Sequence, residues 1–160
     1  MTPKPIQRGL AGEIGKRRPF ASRTQETHLN IIRTADRLHD GARRLFRAHG
    51  LSRSLYNALR ITTAAGSGGT PVRSIAREMI VREPDISRLV DRLEETGLVE
   101  RRRSTTDRRV VRVRATRAGI AKAKSLIAPL AELYDAQLKH LSAKQLDTIN
   151  DLMVRARESL

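Results

Sequence analysis

The chain has no cysteine and no tryptophan, and only two tyrosines and two phenylalanines among its 160 residues. Without thiols it forms no disulfide, senses no oxidant through sulfur and holds no zinc by thiolates. No apolar run approaches the length of about eighteen residues that a membrane span needs, and no basic helix carries the Trp or Phe face that would lay it on a bilayer. Acids are scarce too: 17 Asp and Glu stand against 32 Lys and Arg, a formal charge of +15. Such an excess calls for a polyanionic partner, with nucleic acid favoured over lipid. His28, His39 and His49 lie ten or eleven residues apart. On a helix that spacing is about 16 Å, too far for one metal ion, and His140 stands alone. No Ser-His-Asp spacing or carboxylate pair is present, and the Gly66–Gly69 stretch lacks the lysine of a phosphate-binding loop. Neither an enzyme, a metal nor a cofactor is expected.

What the chain does have is helical periodicity. Residues 1–26 read as a basic, flexible arm with Lys4, Arg8, Lys16, Arg17, Arg18 and Arg23, lacking the apolar stretch of a secretory signal, so a cytoplasmic location is expected. From Thr27, Ile31, Ile32, Ala35, Leu38, Ala42, Leu45 and Phe46 recur every three or four residues, predicting a helix that stops at His49 with Gly50 beyond it. Ser52 caps a second helix reaching about Ala65, with Leu51 stapled to Tyr56. Thr70 and Pro71 read as the cap and first residue of a short helix carrying Val72, Ile75, Ala76 and Met79. Pro84 opens another, with Ile86, Leu89, Val90 and Leu93 inward and Gly97 as its stop. Thr116 caps a long helix through Ile120, Ala123, Leu126, Ile127, Leu130 and Leu133, kinked at Pro129. Ser142 and Gln145 form a capping box before Leu146, Ile149, Leu152, Met153 and Ala156.

Between the last two groups lies Leu98–Gly119, with eight arginines and two acids. Val111, Val113 and Ala115 alternate with Arg112 and Arg114, so a hairpin with one packed and one cationic face is predicted, turning at Ser104, Thr105, Thr106 and Asp107. Two short helices followed by a hairpin make a winged helix-turn-helix, a DNA-gripping module. The outward residues Asp85, Ser87, Arg88, Asp91 and Arg92 offer a major groove donors and acceptors: Arg88 suits guanine and Ser87 either base. That helix is not itself basic, so affinity must come from the wing, where Arg101, Arg103, Arg108, Arg109 and Arg112 can neutralise phosphates. A wing-tip arginine can also enter a narrow minor groove. Asp107 can pair with Arg109 and fix its guanidinium.

The stretch from Ile86 to Gly119, ISRLVDRLEETGLVERRRSTTDRRVVRVRATRAG, closely resembles the MarR family of transcriptional regulators. The likeness lies in a recognition helix running into Gly-Leu-Val and a wing with an acid-Arg-Arg element, and the helix order agrees from about Thr27 to Leu160. The resemblance implies a mainly α fold with a small β-hairpin wing (α+β): a winged lobe over 51–115 and dimerisation helices over 27–50 and 116–160. It implies a homodimer, which the broad apolar faces of those helices also favour, bound to a palindromic operator of double-stranded DNA. It further implies a crevice between the dimer helices and the lobe, where small phenolic or anionic effectors release DNA. By position Ser87, Arg88 and Arg92 match recognition-helix contacts, Asp107 and Arg109 the wing-tip pair, and Ser74 a phosphate contact. Glu83, Pro84 and Asp85 depart from the small hydroxyl residues common there, and Asp85 would have to accept from a cytosine amine. The expected function is a ligand-responsive repressor; a basic architectural or RNA-associated winged protein without operator specificity is the alternative.

Overall fold

The computed structural model describes residues 9–103 and 110–158. They form two compact units that meet in sequence at Gly41 and Ala42. The first holds α1 (Leu10–Glu13) and most of α2 (Arg23–Ala48). There Leu10 is buried, Glu13 pairs with Arg37 at 3.6 Å, and Lys16 Nζ lies 5.3 Å from the centre of the Phe20 ring. α2 begins at Arg23, four residues before Thr27, where the sequence pattern places its start.

The second unit holds the C-terminal turns of α2 and then α3 (Arg53–Ala64), α4 (Val72–Glu78), α5 (Ile86–Glu95), α6 (Arg117–Ser125), α7 (Ile127–Leu138) and α8 (Ala143–Arg157). α2 ends as its sequence predicts: Gly50 has φ 71°, and the Leu51 amide donates to the Phe46 carbonyl at 2.9 Å. This left-handed closure satisfies helix-end carbonyls that would otherwise lack donors. α5 closes the same way at Gly97, with φ 69° and the Leu98 amide on the Leu93 carbonyl at 2.9 Å. Ser52 caps α3, Thr116 caps α6, and Ser142 with Gln145 forms the full reciprocal box at α8. α3 is the hub of the core. Leu55, Ala58, Leu59 and Ile61 meet Ile75 of α4, Val90 and Leu93 of α5, and Leu126 and Leu130 from the C-terminal helices.

The sheet is antiparallel with three strands, not two, in the order β1-β3-β2: β1 (Thr70–Pro71), β2 (Val99–Arg103) and β3 (Val111–Ala115). Thr70, expected to cap α4, is instead buried in a strand opposite Val113, and Pro71 takes the cap position with no side-chain bond. Pairing with a strand about forty residues away outweighs a local cap, and proline is tolerated because β1 is an edge. Four other expectations shift. α5 starts at Ile86 under an Asp85 cap rather than at Pro84. Ala76 is exposed, and so is Val111 (41%), which lies beyond the packed end of the hairpin. The long helix breaks at Leu126, upstream of Pro129, because the proline ring excludes the carbonyl four residues back and leaves it without a donor.

Candidate nucleic-acid interface

α5 separates its residues cleanly. Ile86, Val90 and Leu93 are buried, while Ser87, Arg88, Asp91 and Arg92 are exposed together along the outer face. Asp85 does not project free into that face. Its carboxylate accepts the Arg88 amide at 3.0 Å and closes the helix N-terminus. Glu83, the other acid before α5, accepts from the Ser54 hydroxyl, which ties the α4–α5 turn to the start of α3. Ser74 is half-buried in the first turn of α4. Arg73 and Arg77 lie exposed on α4, one turn apart, and Arg82 is exposed in the turn that follows. Sequence reading passed over these three cations; the i,i+4 spacing of Arg73 and Arg77 outside the apolar positions of α4 was the available signal for that pair.

The wing arginines divide by strand face. Register pairs Val99 with Ala115, Arg101 with Val113 and Arg103 with Val111, leaving Glu100, Arg102, Arg112 and Arg114 on the opposite face. Arg101 therefore shares the packed face with the fully buried Val113 and turns toward α5. Its guanidinium bonds Asp91 at 2.5 Å and also bonds Glu94, while its backbone amide donates to Glu94 at 2.8 Å. Burial works against this charge, but the bonds to Glu94 and then Asp91 outweigh it and hold the Arg101 pKa above the ordinary arginine value. On the other face, Arg112 donates through Nε to the Gly68 carbonyl at 2.7 Å and through its terminal nitrogen to the Gly69 carbonyl at 2.8 Å. Glu100 bridges Arg102 at 3.0 Å and Arg114 at 3.2 Å. Arg101 and Arg112, both read from sequence as phosphate contacts, thus have internal partners. Arg103 is exposed near the wing end. Asp107, Arg108 and Arg109, with the expected turn at Ser104–Thr106, lie outside the described residues.

A second group of side chains gathers around Tyr56 of α3. Tyr56 stacks on Phe46 with ring centres 5.1 Å apart. Its pKa is raised, first by burial and then by Tyr134 of α7, against the opposing pull of Arg60. Two turns along α3 from Tyr56, the Thr63 hydroxyl oxygen is shielded from solvent and has no hydrogen-bond partner among the described residues.

A sequence profile of the MarR family matches residues 51–111, the span from the start of α3 to the wing. A MarR transcription factor from Planctomyces limnophilus is 39% identical, with a TM-score of 0.64 over 84% of this chain and 98% of that one. The chain belongs to the MarR family. This MarR-family protein is a DNA-binding transcriptional regulator. It is similar as well to the HTH-type transcriptional regulator MhqR of Bacillus subtilis, 25% identical over 118 residues, 74% of this chain and 80% of that protein. The MepR–DNA complex of S. aureus shares the fold, with a TM-score of 0.73 at 18% identity over 84% of this chain and 97% of that one. These relatives are regulators rather than enzymes. Among the described residues no helix is long and apolar enough to cross a membrane.

Proposed function

We propose that this MarR-family regulator acts as a homodimeric repressor, placing two winged modules on a twofold-symmetric operator and releasing it when a small phenolic or anionic effector binds. The observation that carries the dimer is α8. It is capped at full strength, yet none of its fifteen residues is buried within its own chain. Ile149 (43%), Leu152 (50%) and Val154 (48%) face solvent, as do Ile127 (61%) and Tyr134 (49%) on α7. A helix this short is marginal in water without packing, and an apolar face of this extent marks an interface. A second copy of the chain supplies the cover, and twofold symmetry then presents the wings as a pair about one DNA turn apart.

On each half-site, Ser87, Arg88 and Arg92 read base edges. Ser74, with Arg73, Arg77 and Arg82, meets the backbone, and Arg103, Arg108 and Arg109 carry the wing's charge to phosphate or minor groove, Asp107 orienting Arg109. Asp85 serves this interface through the α5 cap rather than through a cytosine. Tyr56, Arg60 and Tyr134, with Thr63 on the same helix as the first two, are the groups whose chemistry suits the effector: two phenols, a guanidinium and a hydroxyl without a partner among the described residues match an anionic or phenolic compound. Release follows if the effector prefers a conformation with the wings at the wrong separation.

Sedimentation of the full chain tests the dimer. Wild-type protein is expected at twice the 17.9 kDa chain mass. Ile149→Asp with Leu152→Asp removes about 1 kcal/mol of apolar burial per side chain, four side chains per dimer, which weakens association about a thousandfold. That variant should run as a helical monomer and lose operator binding. A wild-type chain that stays monomeric at micromolar concentration overturns the proposal.

A further inference from the structure

The recognition helix carries more acids than arginines, an odd choice for a surface that approaches phosphate. Most of those acids have structural work. Asp85 caps the helix, and Asp91 and Glu94 converge on Arg101 of β2. Glu94 holds Arg101 twice, by the guanidinium and by the backbone amide, so the side chain and the strand are fixed together. The opposite strand has its own tether. Arg112 of β3 spends two donors on the Gly68 and Gly69 carbonyls. That loop lies close against β3: a Cβ at Gly69 would sit 2.6 Å from the Val113 carbonyl oxygen, and its φ of 63° favours glycine. One strand of the wing is thus tied to the recognition helix and the other to the loop after α3.

The geometry points to Arg101 and Arg112 as positioning residues that set the angle of the wing relative to α5, so that operator preference depends on these internal ties and not on either guanidinium touching DNA. The inference rests on the DNA-reading role proposed above. Each strand has five residues, and at the usual rise the hairpin is a lever of about 17 Å. A root swing of about 10° moves the far ends of these strands about 3 Å, more than the tolerance of a hydrogen bond. The fork geometry of arginine matters at both sites, since one guanidinium must reach two acceptors at once and a lysine ammonium lacks that planar reach.

The test uses full-length protein, a duplex of about 30 base pairs enriched from a random pool by the wild type, and a scrambled duplex of equal length, titrated across a salt series. Arg101→Met and Arg112→Met are expected to bind the enriched duplex about tenfold more weakly and the scrambled one less than about threefold more weakly, with the salt slope nearly unchanged. Arg101→Lys should fail as Arg101→Met does. Asp91→Asn with Glu94→Gln, which makes the surface more positive, should tighten scrambled binding while weakening the enriched duplex. A salt slope reduced by about one unit with equal losses on both duplexes, or full activity of Arg101→Lys, identifies a phosphate contact and overturns the inference. Lower melting temperature with unchanged affinity per folded molecule also overturns it, leaving a purely structural role. Failure of the wild type to enrich any duplex is seen before any variant is made; it refutes the operator reading and this inference with it.

Discussion

Gly119→Ala should destabilise this protein although alanine is the better helix former. Gly119 sits in the first turn of α6, where its amide donates to the Thr116 hydroxyl at 3.0 Å. A Cβ there would lie 1.9 Å from the Leu98 carbonyl oxygen, 2.9 Å from its carbon and 3.2 Å from Leu59 Cδ1. A carbon–oxygen contact needs about 3.3 Å, so the two segments must part by about 1.4 Å. Neither is free to move. The Leu98 carbonyl accepts the Thr116 amide at 3.1 Å, and the Thr116 hydroxyl donates to the Gly97 carbonyl at 2.7 Å. Overpacking typically costs about 1–3 kcal/mol, more when backbone must shift, and the helix gain returns up to about 1 kcal/mol. A net loss of about 2 kcal/mol lowers the melting temperature by about 4–8 °C for a chain of this length. Thermal melts at one fixed chain concentration read it, since the proposed dimerisation would link stability to concentration. Because Leu98 leads into β2, DNA affinity should fall beyond what the unfolded fraction explains. An unchanged or raised melting temperature refutes the reasoning.

Asp85→Ala should cost about 1 kcal/mol of stability by removing the α5 cap, while Asp85→Asn, which caps equally well, stays near wild type in melting and in the sequences it enriches; altered base preference in the asparagine variant would show a base contact instead. Arg88→Ala should lose about 1–3 kcal/mol on the enriched duplex and relax preference at one position per half-site, readable by repeating the selection. Unfolded Tyr56 ionises at about pH 10 and the folded residue later, so its contribution is intact below that pH and disappears as pH climbs through the raised folded pKa. Tyr56→Phe should flatten that alkaline slope in urea melts; a slope unchanged from wild type contradicts the burial argument. Asp107→Ala should weaken specific binding more than loss of one acid from a cationic wing implies, and tighter binding would dismiss its orienting role.

Much of the architecture was legible because its signals are local. Gly50 and Gly97 announce left-handed helix ends, Ser52, Thr116 and the Ser142–Gln145 box announce starts, and the spacing of Ile86, Val90 and Leu93 fixes which face of α5 looks outward. What escaped was set by partners distant in sequence. Thr70 and Pro71 carry a good helix-start pattern, yet their pairing with Val113 and Arg112 made them a strand. Alternation along β3 identified a packed face but not which β2 residues share it. Only the register puts Arg101 across from Val113, and only the fold brings Asp91 and Glu94 to meet it. Tyr56 and Tyr134, scarce rings on separate helices, likewise become neighbours only through packing.

The most direct measurement is a titration of wild-type protein into the enriched duplex and its scrambled counterpart at one salt concentration, with stoichiometry read from the mass of the complex. Two chains per enriched duplex and a preference of at least about a thousandfold over the scrambled one are expected. A single bound chain, or equal affinity for both duplexes, would contradict paired recognition modules.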